Sequence, residues 1–238
     1  MKIKIIEPVV NVSDKNIIEE RSYLERFLNS DTIFEFEVVK EGFPSIENEM
    51  QGIVNGGEIL KLVEKIQLED CDGIFINCFD DPAVVAAREI SYKPVLGAYL
   101  STIKMASSLS ERIAILTTDS YGVSCEERKA KAYGLEGFIS EIIPINLGVL
   151  DLPNSDLAES IVKTCMSLGK KNITTAVLGC TGMFFAAEQA QRRLNEMGLA
   201  VQIVEPLKTS VAFLENMIRM GYNNYIKCRA QGHDNKYF

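Results

Sequence analysis

The sequence holds a single histidine, His233, and its six cysteines include no Cys-x-x-Cys pair. A zinc site needs Cys and His ligands at short spacings, so none is expected. No cluster of Lys or Arg occurs, the net charge is −8, and the pI is about 4.9. Nucleic acids and anionic membrane surfaces both require a positive footprint, so neither is expected as a partner. No stretch approaches the roughly 18 apolar residues of a membrane span. The N-terminal MKIKIIEPVV is too short an apolar run for a signal peptide and leads straight into a strand-like segment. There is no P-loop and no GxGxxG, so no nucleotide is indicated. These absences describe a cytoplasmic protein, and in that compartment the default for each thiol is a small buried hydrophobe rather than half a disulfide.

What is present is a large apolar fraction, 47% of 238 residues, enough to bury a sizeable core. β-branched apolar runs at 2–6, 34–39, 73–77, 95–96, 113–117, 138–143, 175–178 and 201–204 predict strands. Between them, 15–29, 56–67, 82–90, 100–109, 121–133, 155–168, 182–197 and 207–220 predict helices. Pro82 suits a first helical position, Asp119-Ser120 and Asn154-Ser155 suit N-caps, and Gly134 and Gly198 suit helix ends.

Eight strand–helix units are compatible with a (β/α)8 barrel, although that fold typically takes about 250 residues. Internal repetition argues instead for α/β architecture in two similar doubly wound lobes with parallel sheets and an active-site cleft between them. GIFINCFDDPAVVAARE and TAVLGCTGMFFAAEQ share the order apolar strand, cysteine, helix start, with Cys78 and Cys180 in corresponding places. The expected division is 1–98 plus 205–225 for lobe one, 99–204 for lobe two, and 226–238 as a polar tail. The last helix, 207–220, is expected to return to lobe one.

A thiol at the end of a parallel strand stands where such sheets bind ligands, and the N–H groups of a following helix favour its thiolate. Asp80 and Asp81 oppose that charge at Cys78, unless one of them caps the helix. Around Cys180, Gly179 and Gly182 leave room for a substrate to approach the backbone, and Thr181 offers a hydroxyl. Two thiols on opposite sides of an acidic carbon suit racemisation, one removing a proton and the other returning it. Cys71, Cys125, Cys165 and Cys228 lack that setting and read as core.

At these residues the sequence resembles the aspartate/glutamate/hydantoin racemase superfamily, above all its hydantoin racemase branch, over about residues 1 to 220. The resemblance is carried by Gly42-Phe43-Pro44-Ser45-Ile46-Glu47, by Cys78-Phe79-Asp80-Asp81-Pro82 with Ala86-Ala87-Arg88-Glu89 and Pro94-Val95-Leu96-Gly97, by Ile115-Leu116-Thr117-Thr118, and by Leu178-Gly179-Cys180-Thr181-Gly182-Met183. It implies cofactor-independent racemisation of a small-molecule substrate, usually by a homo-oligomer, with Cys78 and Cys180 as the acid/base pair. Pro8, Asn11, Phe79, Thr118, Thr181 and Gly182 would bind the substrate.

The chain departs from the branch after the first strand. Glu7-Pro8-Val9-Val10-Asn11 replaces an Asn-Pro-Asn-Ser/Thr loop. Glu7 either repels an anionic substrate or simply faces solvent or a cation. Tyr99, where the branch has smaller groups, either reaches the cleft or belongs to the core. Ser45 and Glu47 close over the cleft or cap the next element, and Arg88 and Glu89 suit ion pairs. Rival readings are a maleate isomerase- or decarboxylase-like enzyme on the same scaffold, and a non-catalytic metabolite-binding protein.

Overall fold

A computed structural model describes residues 1–224; the predicted polar tail, with Cys228 and His233, lies outside the described residues. The elements alternate throughout: β1 (Lys2–Glu7), α1 (Asp14–Glu25), β2 (Ile33–Val38), α2 (Glu49–Ile66), β3 (Gly73–Ile76), α3 (Val84–Ile90), β4 (Val95–Gly97) and α4 (Ala98–Leu109) are followed by β5 (Ile113–Thr117), α5 (Ser120–Tyr133), β6 (Ile139–Pro144), α6 (Leu157–Gly169), β7 (Thr175–Leu178), α7 (Phe184–Glu196), β8 (Gln202–Val204) and α8 (Pro206–Arg219). The strands form two four-stranded parallel sheets, ordered β2-β1-β3-β4 and β6-β5-β7-β8. The order is the same in both, so the repeat seen in the sequence is a repeat of topology, and a single closed barrel is excluded. One compact unit comprises Met1–Ala98 with the described residues from Ser210 onward; the other is Tyr99–Thr209.

Strand polarity explains which helices cover which side. In the first sheet Ile3, Ile5 and Glu7 of β1 stand beside Gly73, Phe75 and Asn77. Gly73 lies against Leu214 and Ile218 of α8, and α1 buries Glu20, Tyr23 and Leu24. The opposite side, with Ile6, Ile74 and Ile76, packs on Ile59, Val63 and Ile66 of α2 and on Val84 and Ala87 of α3. Both sides are therefore covered, which is why the central strands read as nearly continuous apolar runs. Lys4 is a charged exception, and its ammonium is held by Glu35 at 2.8 Å and Glu69 at 2.7 Å.

In the second sheet α6 and α7 enclose Ala114, Leu116, Ala176 and Leu178. Tyr99 of α4 stacks on Tyr133 of α5, with ring centroids 5.7 Å apart. Two of the expected helix-start signals are corrected. Asp156, not Asn154 or Ser155, caps α6 by accepting from the Glu159 N–H, because residues 149–154 wind into a 3-10 turn first. Pro82 does not open a helix, because Asp81 and Ala83 take positive φ, 50° and 56°, and α3 begins only at Val84. Asp119 caps α5 as predicted, accepting from the Gly122 N–H at 2.8 Å.

Candidate active site

In a sheet of order 2-1-3-4 the winding reverses between the first and third strands, and ligands bind outside the carboxyl ends at that point. β1 ends at Glu7 and β3 at Ile76, so Pro8 and Cys78 lie just beyond the reversal in the first sheet. β5 ends at Thr117 and β7 at Leu178, so Thr118 and Cys180 occupy the equivalent positions in the second.

Cys78 is half-buried. Its Sγ accepts a hydrogen bond from the Asp80 backbone N–H at 3.4 Å, and the Asp81 N–H donates to the Cys78 carbonyl at 3.3 Å. A donor on the sulfur favours the thiolate. That donor comes from the tight turn after β3, whereas the sequence pointed to the helix N-terminus. The Asp81 carboxylate is packed against Gly97 at the end of β4. Phe79 is buried, 3% exposed.

Cys180 is also half-buried and extended (φ −153°, ψ 134°), followed by one 3-10 turn, Thr181–Met183, and then α7. The Met183 N–H donates to the Cys180 carbonyl at 3.1 Å. A Cβ on Gly182 would sit 3.5 Å from Cys180 Sγ, an ordinary contact, so the sulfur lies over this glycine. Gly179 has a different role from the one expected. A Cβ there would stand 2.9 Å from the Leu116 carbonyl oxygen and 3.1 Å from Thr117 Cα, and the Gly179 N–H donates to that same carbonyl at 2.8 Å. The backbone of β5, rather than a substrate, demands glycine. Gly179→Ala is therefore expected to separate the ends of β5 and β7 and to cost about 1–3 kcal/mol, read as a lowered denaturation midpoint.

Thr118 and Thr181 are buried, 8% and 7% exposed, and the Thr118 carbonyl accepts from the Leu147 N–H at 3.0 Å. Pro8 is buried and its carbonyl accepts from Asn55 Nδ2 at 2.8 Å. Asn11 is exposed and left-handed, φ 64°. Glu7 fits neither alternative read from the sequence. It is 5% exposed, and its Oε1 accepts from Asn77 Nδ2 at 2.8 Å. Its carboxyl also shares a hydrogen bond with Glu20, and burial is the main cause that raises its pKa.

The remaining described thiols behave as core. Burial pushes Cys165 up to about 12 and raises Cys71 as well, so both stay protonated. Cys125 is buried on α5 and accepts from Arg128 Nη2 at 3.2 Å. Tyr99 is core too: it is fully buried. Ser45 donates to Glu47 Oε1 at 2.7 Å, and Asn48 caps α2. Arg88 Nε donates to the Val95 carbonyl at 2.9 Å.

Two polar side chains escaped the sequence reading. Asn55, fully buried, accepts from the Phe43 N–H at 2.8 Å and donates to the Phe43 and Pro8 carbonyls at 3.0 and 2.8 Å. It thereby ties the loop after β1 to the Gly42-Phe43 loop. Glu20 sits among the buried residues of α1. The available signal was register: Asn55 falls in line with Ile59, Val63 and Ile66, and Glu20 with Tyr23 and Leu24.

Two topologically equal α/β halves thus each carry a half-buried cysteine at the switch point of a parallel sheet. Residues 24–218 match the Asp/Glu/Hydantoin racemase family, and the chain belongs to that family, an isomerase of the racemase class. Within it the likeness is to the hydantoin racemase branch. The chain is 28% identical over 226 residues to the hydantoin racemase of Pseudomonas sp. (strain NS671), covering 93% of this chain and 87% of that one. It is 26% identical over 181 residues to the hydantoin racemase of Rhizobium meliloti, covering 75% and 73%. The allantoin racemase from Klebsiella pneumoniae superposes with a TM-score of 0.85 at 25% identity, over 94% of this chain and 90% of that one.

Proposed function

We propose that this racemase inverts the carbon beside a carbonyl in a hydantoin-like ring or related amino-acid derivative, with Cys78 and Cys180 as the acid/base pair. The observation that carries this reading is the equivalence of the two thiols: each follows the third strand of a 2-1-3-4 sheet and is half-buried. One thiolate takes the Cα proton, the C–H electron pair moves into the enolate, and the other thiol returns a proton to the opposite side. The sulfurs then exchange roles for the reverse reaction. Backbone N–H groups at the strand ends support the developing oxyanion. The relatives named for hydantoin and allantoin support a cyclic ureido substrate. Pro8, Asn11, Phe79, Thr118, Thr181 and Gly182 are proposed to line its site. The enzyme is proposed to need no cofactor and to work as a homo-oligomer in the cytoplasm.

A single enantiomer of a 5-substituted hydantoin in D2O tests this. Optical rotation is expected to decay while deuterium enters at C5. Decay without deuterium incorporation, or no turnover of hydantoin and allantoin alike, would reject the reading.

A further inference from the structure

Glu7, Asn77 and Glu20 meet at the carboxyl ends of β1 and β3, on the side of the sheet covered by α1. The Asn77 amide divides its two N–H bonds between Glu7 Oε1 at 2.8 Å and Glu20 Oε2 at 2.9 Å. All three residues are at least nine-tenths buried. An oxygen of each carboxyl lies within 2.9 Å of that one amide nitrogen, so the two acids are close neighbours in a buried site, and a proton shared between them removes the repulsion of two negative charges. Asn77 is the residue before Cys78, and its own N–H continues the ladder to the Ile6 carbonyl at 3.0 Å. Its side chain is therefore the last fixed point before the turn that presents the sulfur.

We propose that Glu7, Asn77 and Glu20 form a one-proton clamp that positions the Cys78 turn, and that losing the shared proton loosens that turn. With both carboxylates ionised, one amide must hold two like charges in a buried site, and repulsion separates them. Glu7 is a positioning residue here, acting on Cys78 through Asn77.

Among the described residues, charged groups on the elements packed against the clamp have contacts of their own. On α1, Arg21 lies over Phe36 of β2, its Cζ 5.5 Å from the ring centroid. On α8, Glu215 and Arg219 are bound to Thr32 and Asp31 near the start of β2. Lys4 and its glutamates belong to the other side of β1. Burial raises Glu7 above the ordinary carboxylate range. A raised folded pKa means that the folded chain binds more protons than the unfolded one. The clamp's contribution to stability is complete below the unfolded value, near 4.5, and is lost as pH rises through the raised folded value.

The proposal rests on Cys78 belonging to the reacting pair, but its test does not need turnover. Melting temperature and Cys78 alkylation by iodoacetamide, followed by peptide mass spectrometry, are measured from about pH 5 to about pH 9 for wild type, Glu7→Gln and Glu20→Gln. Glutamine copies the protonated carboxyl, donor included, at every pH. Wild type is expected to lose melting temperature with rising pH, and its Cys78 alkylation to show a second inflection over the same interval. Each variant is expected to melt at a nearly constant temperature and to alkylate Cys78 along a single thiol titration. Cys180 in the same samples is the reference and should titrate alike in all three proteins. Equal pH slopes in wild type and variants would overturn the clamp, and so would failure of both variants to fold, since an isosteric neutral partner should suffice. Absence of racemisation with intact pH effects would instead count against the proposed function alone.

Discussion

Cys78→Ser and Cys180→Ser are each expected to lower racemisation by about 10²–10⁴-fold, the usual worth of a positioned acid or base. Serine keeps the shape but has a hydroxyl too weakly acidic to serve as the base at neutral pH. The two losses should differ in kind. A variant retaining one thiol can still remove a proton from its own side and return it there. Deuterium exchange without inversion should therefore survive for one enantiomer in Cys78→Ser and for its mirror image in Cys180→Ser. Chiral chromatography combined with NMR reads both quantities. Cys165→Ala provides the contrast, because burial keeps that thiol protonated inside the core of α6 and α7. Its damage should appear in stability while exchange stereochemistry stays the same. Full activity in both serine variants would end the two-thiol mechanism.

Tyr99→Ala is expected to destabilise the chain by about 3–5 kcal/mol, as large aromatic truncations in a packed core do. Tyr99 is fully buried and stacks on Tyr133 with an interplanar angle of 24°, and Lys129 Nζ stands 4.7 Å from its ring centroid. Its hydroxyl donates to the Glu126 carbonyl at 3.4 Å, a long and weak bond. Tyr99→Phe keeps the stack and should cost less than about 1.5 kcal/mol. A tyrosine that touched substrate would show the reverse order: phenylalanine would impair turnover and leave the urea midpoint in place. Paired denaturation curves and initial rates distinguish the two.

The sequence was legible wherever a local pattern has a single physical meaning. Strands 113–117 and 175–178 were read to the residue, because buried parallel strands are short uninterrupted apolar runs. The cap at Asp119 follows from side-chain chemistry alone. The start of α3 was misplaced because a proline suits a first helical turn and equally the tight turn that Asp81 and Ala83 make with positive φ. The start of α2 was missed by several residues because Gly52, Gly56 and Gly57 weaken the helical pattern there, whereas Asn48 caps the helix and Glu49 opens it.

Alternation, the repeated Cys-bearing segment and the two candidate thiols follow from the order of residues, since covalent sequence sets hydrophobic period and spacing. The distant partners of the buried polar groups were decided by tertiary structure alone. Glu7 could have met solvent, a cation or a substrate, and it met Asn77, 70 residues away, and Glu20 on a different element. Gly179 looked like space for a ligand and is space for the neighbouring strand. Hydrophobic burial is a summed, periodic quantity that a chain displays along its length. A hydrogen bond is a meeting of two atoms at one distance and angle, and only the packed chain settles which two they are.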